Sequence, residues 1–489
     1  MRARDYALIA VLLLAAAGYY AYQNVLPVAA SARVTVTDET GSPVNALVQL
    51  FANNQLVAEA NASQGVALLE AAVPRGAVLM ARAEATGFLP ARSGFRGAAV
   101  KLVLERETLA KPRVDFVIAT DLDAIRGKYG AEYAEAVSEK MDSLAEAAEA
   151  DDLTTRVVLL ENDYASVGAA VNDLTPSYLL IVGGPRIVAF EEFATPLADA
   201  GGAFAFLARS DPRVPSDNAY GMLAAARYEC VECHPDVAVG RLPDGWEEES
   251  DSPLLLGLLD AAIAAHASPP ALEEMASVVS MDSYGEHLKH LVYEELGNEI
   301  VDAPPAYYAD ASGIEGGFQT IINAVNGANA LFFSLHGSNP PGTQVYSASD
   351  GAGEYYVLTR GLPEVEGMDY TGKIVLTDAC YGANPYRLEN ESLPLLFLNN
   401  GALAFVGSTT SALANRKVSS QEFDDEAEIL ALGSSTAFHY RILRGLRDGE
   451  RIGDAVKAAR SEMLAGVPAD ELTAVQYVLY GDPTLKTNG

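Results

Sequence analysis

A histidine and a cysteine stand at the ends of two short apolar runs that are typical of buried β-strands. The run 330–335 ends at His336, and the run 373–377 comes three residues before Cys380. In open parallel sheets, groups just beyond the carboxyl ends of strands meet at one edge, where ligands bind. Because a free thiol is mostly protonated at neutral pH, a neighbouring imidazole must take its proton or stabilise the thiolate. Cys380 and His336 are therefore a candidate nucleophile and base.

The glycine that follows the histidine fits the same chemistry. Gly337 allows another backbone to approach closely, and its N–H can then point at a developing oxyanion. The alternative is that Cys380 is a small buried hydrophobic residue, a common role for a cysteine after an apolar strand. Because a histidine and a cysteine both follow such strands, the catalytic interpretation is favoured over a merely buried cysteine.

Strands and helices alternate along most of the chain, on both sides of residue 250. The strand-like runs lie at 116–119, 157–160, 178–182, 237–239, 277–281, 328–335, 373–377 and 402–406. Segments of helical periodicity separate many of these runs, which is typical of a parallel sheet with helical crossovers. We therefore predict an α/β catalytic unit of two subdomains, at 111–250 and 251–489.

Residues 33–110 have a different pattern. Short alternating runs are separated by turn residues every 8 to 12 positions or so, which predicts a small all-β sandwich. The stretch resembles the carboxypeptidase-regulatory-like and transthyretin-like modules. That resemblance implies a spacer beside an exported enzyme.

The first 32 residues are typical of a targeting segment. Arg2 and Arg4 precede the uncharged run 6–22. The small residues 30–32 suit cleavage of a signal peptide, whereas a retained apolar helix of about 20 residues would anchor the chain in a membrane. The leading positive charges place the remainder outside in both cases. We expect a secreted protein or a membrane-anchored one with an extracytoplasmic catalytic domain.

Composition limits the classes of partner. The 489 residues are 49% hydrophobic, which excludes an intrinsically disordered chain. With 66 acidic and 33 basic residues the net charge is −33, so binding to a phosphate backbone is not expected.

The two strand ends resemble the signature of caspase-fold cysteine peptidases. His336-Gly337-Ser338 and Asp378-Ala379-Cys380 carry this resemblance. Four further motifs are similar to those of the gingipain family: Leu179-Leu180-Ile181-Val182-Gly183-Gly184, Ser216-Asp217-Asn218-Ala219-Tyr220-Gly221, Val237-Ala238-Val239-Gly240-Arg241 and Tyr480-Gly481-Asp482-Pro483-Thr484-Leu485. The resemblance covers about 113–489. It implies a caspase-like fold and a cysteine endopeptidase that acts on proteins or peptides through an acyl-enzyme.

The same resemblance implies a role for each site residue. Cys380 matches the nucleophile, His336 matches the catalytic histidine, and the N–H groups of Gly337 and Cys380 match the oxyanion hole. Asp282 lies where gingipains place a carboxylate that orients the histidine. The alternative is that Asp282 begins the helix predicted from Tyr284. No cofactor is required, although gingipains bind calcium and this acidic chain is a candidate for it without assigned ligands.

Acidic residues near the nucleophile predict the substrate preference. In this fold the residue two before the nucleophile lines the first specificity pocket, and here it is Asp378. Glu286 lies in the loop where Arg-cutting gingipains keep an acidic pocket residue. A desolvated carboxylate pairs well with a substrate Arg or Lys, so we expect cleavage after basic residues. The alternative is that Asp378 binds loop backbone and the pocket is formed elsewhere.

The remaining cysteines form a close pair. Cys230, Cys233 and His234 match the c-type haem attachment pattern, but no axial partner is evident. A local disulfide, or a metal site completed by another ligand, is the favoured interpretation.

Two other functions share these motifs. A transpeptidase or sortase-like surface-processing enzyme would pass the acyl group to an amine instead of water. A catalytically silent binding protein would keep the fold without a reactive thiol.

Overall fold

The structure is a computed structural model that describes most of the chain. It leaves out residues 1–27, 39, 53–54, 74–78, 87, 89–90, 96–98, 105–113, 161–163, 198–203, 223–235, 245–253, 273, 281–298, 304–313, 339–343, 350–353, 360–362, 385–391, 414–433, 464–467 and 489. The hydrophobic helix predicted at the N-terminus lies outside the described residues. Among the helices that are described, none has the length and apolar character to cross a membrane.

Contacts divide the chain into two compact units, one reaching to Lys111 and one that begins at Pro112 and omits Leu464–Val467. The regular elements described in the first unit are all strands, as predicted for residues 33–110. Its strands are β1 (Val28–Asp38), β2 (Leu47–Ala52), β3 (Gln55–Asn61), β4 (Val66–Val73), β5 (Leu79–Glu84), β6 (Ala91–Phe95) and β7 (Ala99–Leu104).

These seven strands form two sheets, in the orders β4-β1-β7 and β3-β2-β5-β6. Alternate residues of β2 and β5 point into an apolar core that β1 shares, and this core includes Val34, Leu50 and Ala81. The small residues 30–32, predicted as a cleavage site, lie within β1 and pair with β4.

The second unit alternates strands and helices. Its elements are β8 (Phe116–Thr120), α1 (Leu122–Tyr129), α2 (Ala131–Ala150), β9 (Thr155–Leu159), α3 (Tyr164–Leu174), β10 (Tyr178–Val182), β11 (Glu191–Ala194), α4 (Phe204–Ser210), β12 (Arg213–Ser216), a 3-10 turn (Asn218–Gly221), β13 (Ala238–Leu242), α5 (Leu254–Ala267), β14 (Met275–Ser280), β15 (Glu299–Ala303), α6 (Ile314–Gly327), β16 (Ala330–Ser334), β17 (His336–Ser338), β18 (Val345–Ser349), β19 (Glu354–Thr359), α7 (Pro363–Glu366), β20 (Ile374–Thr377), α8 (Leu393–Asn399), β21 (Ala404–Ser408), α9 (Ser434–Arg447), α10 (Ile452–Met463), α11 (Pro468–Gln476) and β22 (Tyr477–Gly481).

A ten-stranded sheet organises this unit, in the order β15-β14-β16-β20-β21-β22-β13-β10-β8-β9. The first five of these strands run parallel to one another, and so do the last five. The two parallel sets meet in an antiparallel pairing of β21 with β22. The sheet is therefore mixed, and β22, near the end of the chain, joins the set formed by the earlier strands.

Burial explains why the central strands are continuously apolar. Every residue of β16 and of β20 is buried, because helices cover both faces of a doubly wound sheet. Helix α2 buries one stripe of small and aliphatic side chains, from Ala134 to Ala148, at spacings of three and four. Phe397 of α8 packs its ring against Phe333 of β16 and Phe405 of β21. The sheet thus holds the ends of β16, β20 and β21 rigidly side by side.

Candidate active site

Cys380 lies three residues beyond the end of β20, beside the loop that follows β21. The register of β16 and β20 pairs Phe333 with Thr377, so both strands end at the same level. The Cys380 sulfur accepts a hydrogen bond from the Ala412 N–H at 3.3 Å and lies 3.6 Å from the Ala412 carbonyl oxygen. Cys380 is a free thiol. Three neighbouring strand ends therefore converge on the predicted nucleophile.

The surroundings of this thiol favour its protonated form. The residue keeps part of its surface exposed, yet burial of the thiol raises its pKa above the ordinary value. The carboxylates of Asp378 and Asp211 raise this pKa further, whereas the N–H groups of Ala412 and Gly337 lower it. Because the thiol is held neutral, its reaction as a thiolate requires a base that takes the proton.

His336 and Gly337 form the start of strand β17, directly against the cysteine. A Cβ atom built on Gly337 would lie 2.6 Å from the Cys380 nitrogen and closer still to its carbonyl oxygen. Strand β17 pairs His336 with Ser347 and Gly337 with Tyr346 of β18. The Tyr346 hydroxyl donates to the Gly382 carbonyl at 2.9 Å, which ties this hairpin to the loop that carries Cys380. The structure thus brings the predicted histidine segment and the predicted cysteine together.

The residue after Cys380 has an unusual backbone. Tyr381 has a φ of +56°, a left-handed conformation that costs a bulky residue about 1–3 kcal/mol. Its N–H donates to the Thr410 carbonyl at 2.8 Å, and its carbonyl accepts from the Gln344 side chain at 2.5 Å. Hydrogen bonds on both sides therefore hold the turn that presents Cys380.

Asp378 is turned inward from the strand end. It is 8% exposed, and its carboxylate accepts a hydrogen bond from the Ser334 hydroxyl at 3.0 Å. Burial raises the pKa of Asp378 to about 7, against the lowering effect of Ser334, of the nearby His336 and of the Leu335 N–H. In this position the carboxylate is buried within reach of the charge of His336, and it changes charge near neutral pH.

Four of the predicted site residues belong to segments outside the described part of the chain. Asp282, Glu286, Cys230 and Cys233 lie outside the described residues. Within the part of the chain that is described, no three His, Cys, Asp or Glu side chains are grouped to hold a metal ion. The predicted roles of these four residues, and of calcium, therefore remain predictions.

The structure adds groups that the sequence analysis did not single out. The loop 409–413 contacts the sulfur, and Asp211 from the distant segment before β12 reaches the same place. The sequence contains a pattern that could have indicated this loop. The polar residues Thr409-Thr410-Ser411 follow an apolar strand, just as His336 does. Asp211 had no such signal, because it follows a short helix in a turn beside Pro212.

A cysteine and a histidine segment meet at adjoining strand ends of a mixed α/β sheet, as the resemblance to caspase-fold peptidases implies. Residues 133–488, more than half of the chain, match the family model of peptidase family C25. No curated protein matches the chain. The chain therefore belongs to peptidase family C25, the gingipain family, and is a cysteine peptidase.

The solved structures that match the chain are distant in sequence. The Arg-specific cysteine proteinase gingipain R is 13% identical with a TM-score of 0.47, covering 78% of this chain and 79% of that one. The complex of the Porphyromonas gingivalis RgpB pro- and mature domains is 13% identical with a TM-score of 0.48, covering 76% and 80%. The Saccharomyces cerevisiae separase–securin complex is 10% identical with a TM-score of 0.34, covering 64% and 16%.

Proposed function

We propose that this chain is a cysteine endopeptidase in which Cys380 is the nucleophile and His336 carries the proton. The observation that supports this most directly is the contact of the Gly337 backbone with the Cys380 backbone. That contact holds Gly337, the residue next to His336, against the proposed nucleophile Cys380. A merely buried cysteine would not need a glycine of a second strand end against its own peptide group.

The neutral thiol determines the order of steps. His336 takes the proton as the Cys380 sulfur attacks the substrate carbonyl carbon, and a carbon–sulfur bond forms. The Gly337 N–H, which already faces the sulfur, is within reach of the oxyanion, together with the Cys380 N–H. His336 then protonates the leaving amine as the carbon–nitrogen bond breaks. Water hydrolyses the resulting thioester and restores the thiol.

A preference for Arg or Lys before the cleaved bond is the second part of the proposal. Its support is the pair of carboxylates, Asp378 and Asp211, whose charges reach the Cys380 thiol. The Asp378 carboxylate rests on Ser334, so a substrate cation would have to replace that contact. Glu286 is the further acidic candidate for the pocket, and Asp282 is the candidate that orients His336.

Export and calcium binding complete the proposal. Export is supported by the charged and apolar pattern of residues 1–32, with either a cleaved signal or a retained anchor. Calcium is supported by the acidic composition alone. Every step above uses side chains and backbone groups of this chain, and none runs through a metal.

The test is turnover of a positional library of fluorogenic peptides by the full-length chain in detergent, under reducing conditions with calcium. We expect cleavage after Arg or Lys, which Cys380→Ala and His336→Ala abolish. Cleavage after other residues would retain the peptidase and contradict the acidic pocket. Transfer of the acyl group to an added amine would identify a transpeptidase. A wild-type chain without turnover, even after limited proteolysis, would contradict the proposed activity and favour a binding protein.

A further inference from the structure

Asp211 is a buried carboxylate with four hydrogen-bond contacts beside the nucleophile. It lies between α4 and β12 and is 4% exposed. The Tyr381 hydroxyl lies 3.0 and 2.9 Å from its two carboxylate oxygens. The Ser411 hydroxyl lies 2.7 Å from Oδ2, and the Ser411 N–H donates to the same oxygen at 3.2 Å. One side chain thus joins two segments that are otherwise separate in the chain.

Both partners of Asp211 adjoin the sulfur. Tyr381 directly follows Cys380 in the left-handed conformation described above. Ser411 directly precedes Ala412, whose N–H donates to the Cys380 sulfur. The hydroxyls of Tyr381 and Ser411 also lie 3.0 Å apart, so the three side chains form one compact cluster. A shift of Asp211 would move the sulfur and its hydrogen-bond donor together.

The segment that carries Asp211 is itself anchored. Downstream of Asp211, the Pro215 carbonyl accepts from the Thr409 hydroxyl at 2.7 Å, and the Ser216 hydroxyl donates to the Val475 carbonyl at 2.6 Å. Ser216 is fully buried. These contacts fix the β12 segment on the loop after β21 and on α11, so Asp211 is held in place by more than its own bonds to Tyr381 and Ser411.

We propose that Asp211 is a positioning residue for Cys380, which acts through Tyr381 and Ser411 to hold the nucleophile and the Ala412 N–H in their attacking arrangement. The proposal rests on the proposed cysteine peptidase activity. It also gives the earlier α/β segment, which supplies neither candidate catalytic residue, a direct part in the site.

The charge of Asp211 supplies a readout that a purely structural carboxylate would not move. Its negative charge raises the pKa of the Cys380 thiol, so its removal should lower the pH at which the thiol ionises. Iodoacetamide reacts with the thiolate, and the peptide that contains Cys380 can be quantified by mass spectrometry. This readout needs no peptidase activity and is not disturbed by Cys230 or Cys233.

The experiment compares wild type, Asp211→Asn, Tyr381→Phe and the double variant, with Asp448→Asn on an exposed turn as the control. We expect Asp211→Asn to lower kcat at least about tenfold with KM within about twofold, and Tyr381→Phe to lower kcat less. The double variant should be no worse than Asp211→Asn by more than about twofold, because both remove the same link. The alkylation midpoint of Asp211→Asn should lie at a lower pH than that of wild type, because the charge that raises the pKa of the Cys380 thiol is gone.

Other outcomes separate the proposal from its premise. An unchanged kcat, additive losses in the double variant, or an unshifted alkylation midpoint would overturn the role of Asp211. If Asp211→Asn does not fold, Tyr381→Phe alone must lower kcat or the proposal fails. If wild type cleaves no peptide, the peptidase proposal fails, whereas the alkylation midpoint still decides whether Asp211 acts on the thiol.

Discussion

The backbone of Gly337 lies against the backbone of Cys380 with no space for a side chain between them. A Cβ atom on Gly337 would come within 2.6 Å of the Cys380 nitrogen, a distance that real Cβ contacts do not show. The atoms in conflict are backbone atoms, which cannot swing away as the end of a flexible side chain can. The glycine is therefore required by the approach of two strand ends.

Gly337→Ala should displace the histidine strand from the nucleophile. We expect kcat/KM to fall about 100-fold, because a shift of about 1 Å in a catalytic group has an effect of that size. Peptide hydrolysis measures the loss. The matched control is Gly257→Ala, since nothing lies within 4 Å of a Cβ at that helical position. That variant should keep wild-type kinetics and gain about 0.5–1 kcal/mol of stability. A fully active Gly337→Ala enzyme would show that the contact is dispensable.

The Cys380 thiol should titrate above the ordinary cysteine value of about 8.5 in the free enzyme. Burial is the main cause, and the charges of Asp378 and Asp211 add to it. The rate of alkylation of the Cys380 peptide by iodoacetamide, measured against pH, checks this. A midpoint below 7 that disappears in His336→Ala would instead reveal a thiolate–imidazolium pair formed before substrate binds.

The sequence contained enough information to predict the strand ends at Cys380 and His336, because continuous apolar runs mark buried parallel strands. The α/β architecture and the all-β N-terminal unit are confirmed by the sheets observed. Both features could be predicted because the pattern of apolar residues that indicates a strand or a helix is local and extends over about ten residues.

Long-range pairing was not predictable in the same way. The contact of Asp211 with Tyr381 spans 170 residues, and no local pattern encodes it. The run Tyr477–Gly481 was apolar enough to be a strand, yet nothing in it specified antiparallel pairing with β21 and parallel pairing with β13. The direction of the Asp378 side chain, toward Ser334, could not be predicted either. Side chains alternate between the two faces of a sheet only within a strand, and Asp378 comes after the last residue of β20.

Removal of one partner of the buried pair Arg241–Asp217 should strongly destabilise the second unit. Arg241 is fully buried and donates to both Asp217 oxygens and to the carbonyls of Gly183 and Val188. Asp217→Ala leaves the guanidinium buried without its counter-charge, so we expect a loss of about 3–5 kcal/mol. Thermal unfolding measures this loss. Asp123→Ala, which breaks the exposed pair with Arg126, should cost at most about 1 kcal/mol. Equal losses in the two variants would contradict the argument.

Asp378 should make both stability and substrate preference depend on pH near 7. Its folded pKa of about 7 lies above the unfolded value of about 3.9, so the folded chain holds a proton that the unfolded chain releases. The contribution of Asp378 to the free energy of unfolding is complete below about pH 4 and is lost as the pH rises to about 7. The loss is roughly 4 kcal/mol.

Asp378→Asn removes this dependence, because the amide does not titrate. Between pH 4 and pH 8 the Tm of the variant should rise relative to that of wild type, with the change centred between the two pKa values. A constant Tm difference across this range would contradict a buried, titrating Asp378.

The same ionisation decides whether Asp378 selects basic substrates. Only the carboxylate attracts a cation, so the ratio of kcat/KM for an Arg peptide to that for an uncharged analogue should increase as the pH rises through 7. In Asp378→Asn the ratio should be low and independent of pH, while hydrolysis of the uncharged peptide continues. A wild-type ratio that is high already at pH 5 would assign the selection to another carboxylate, for which Glu286→Gln is the next variant to measure.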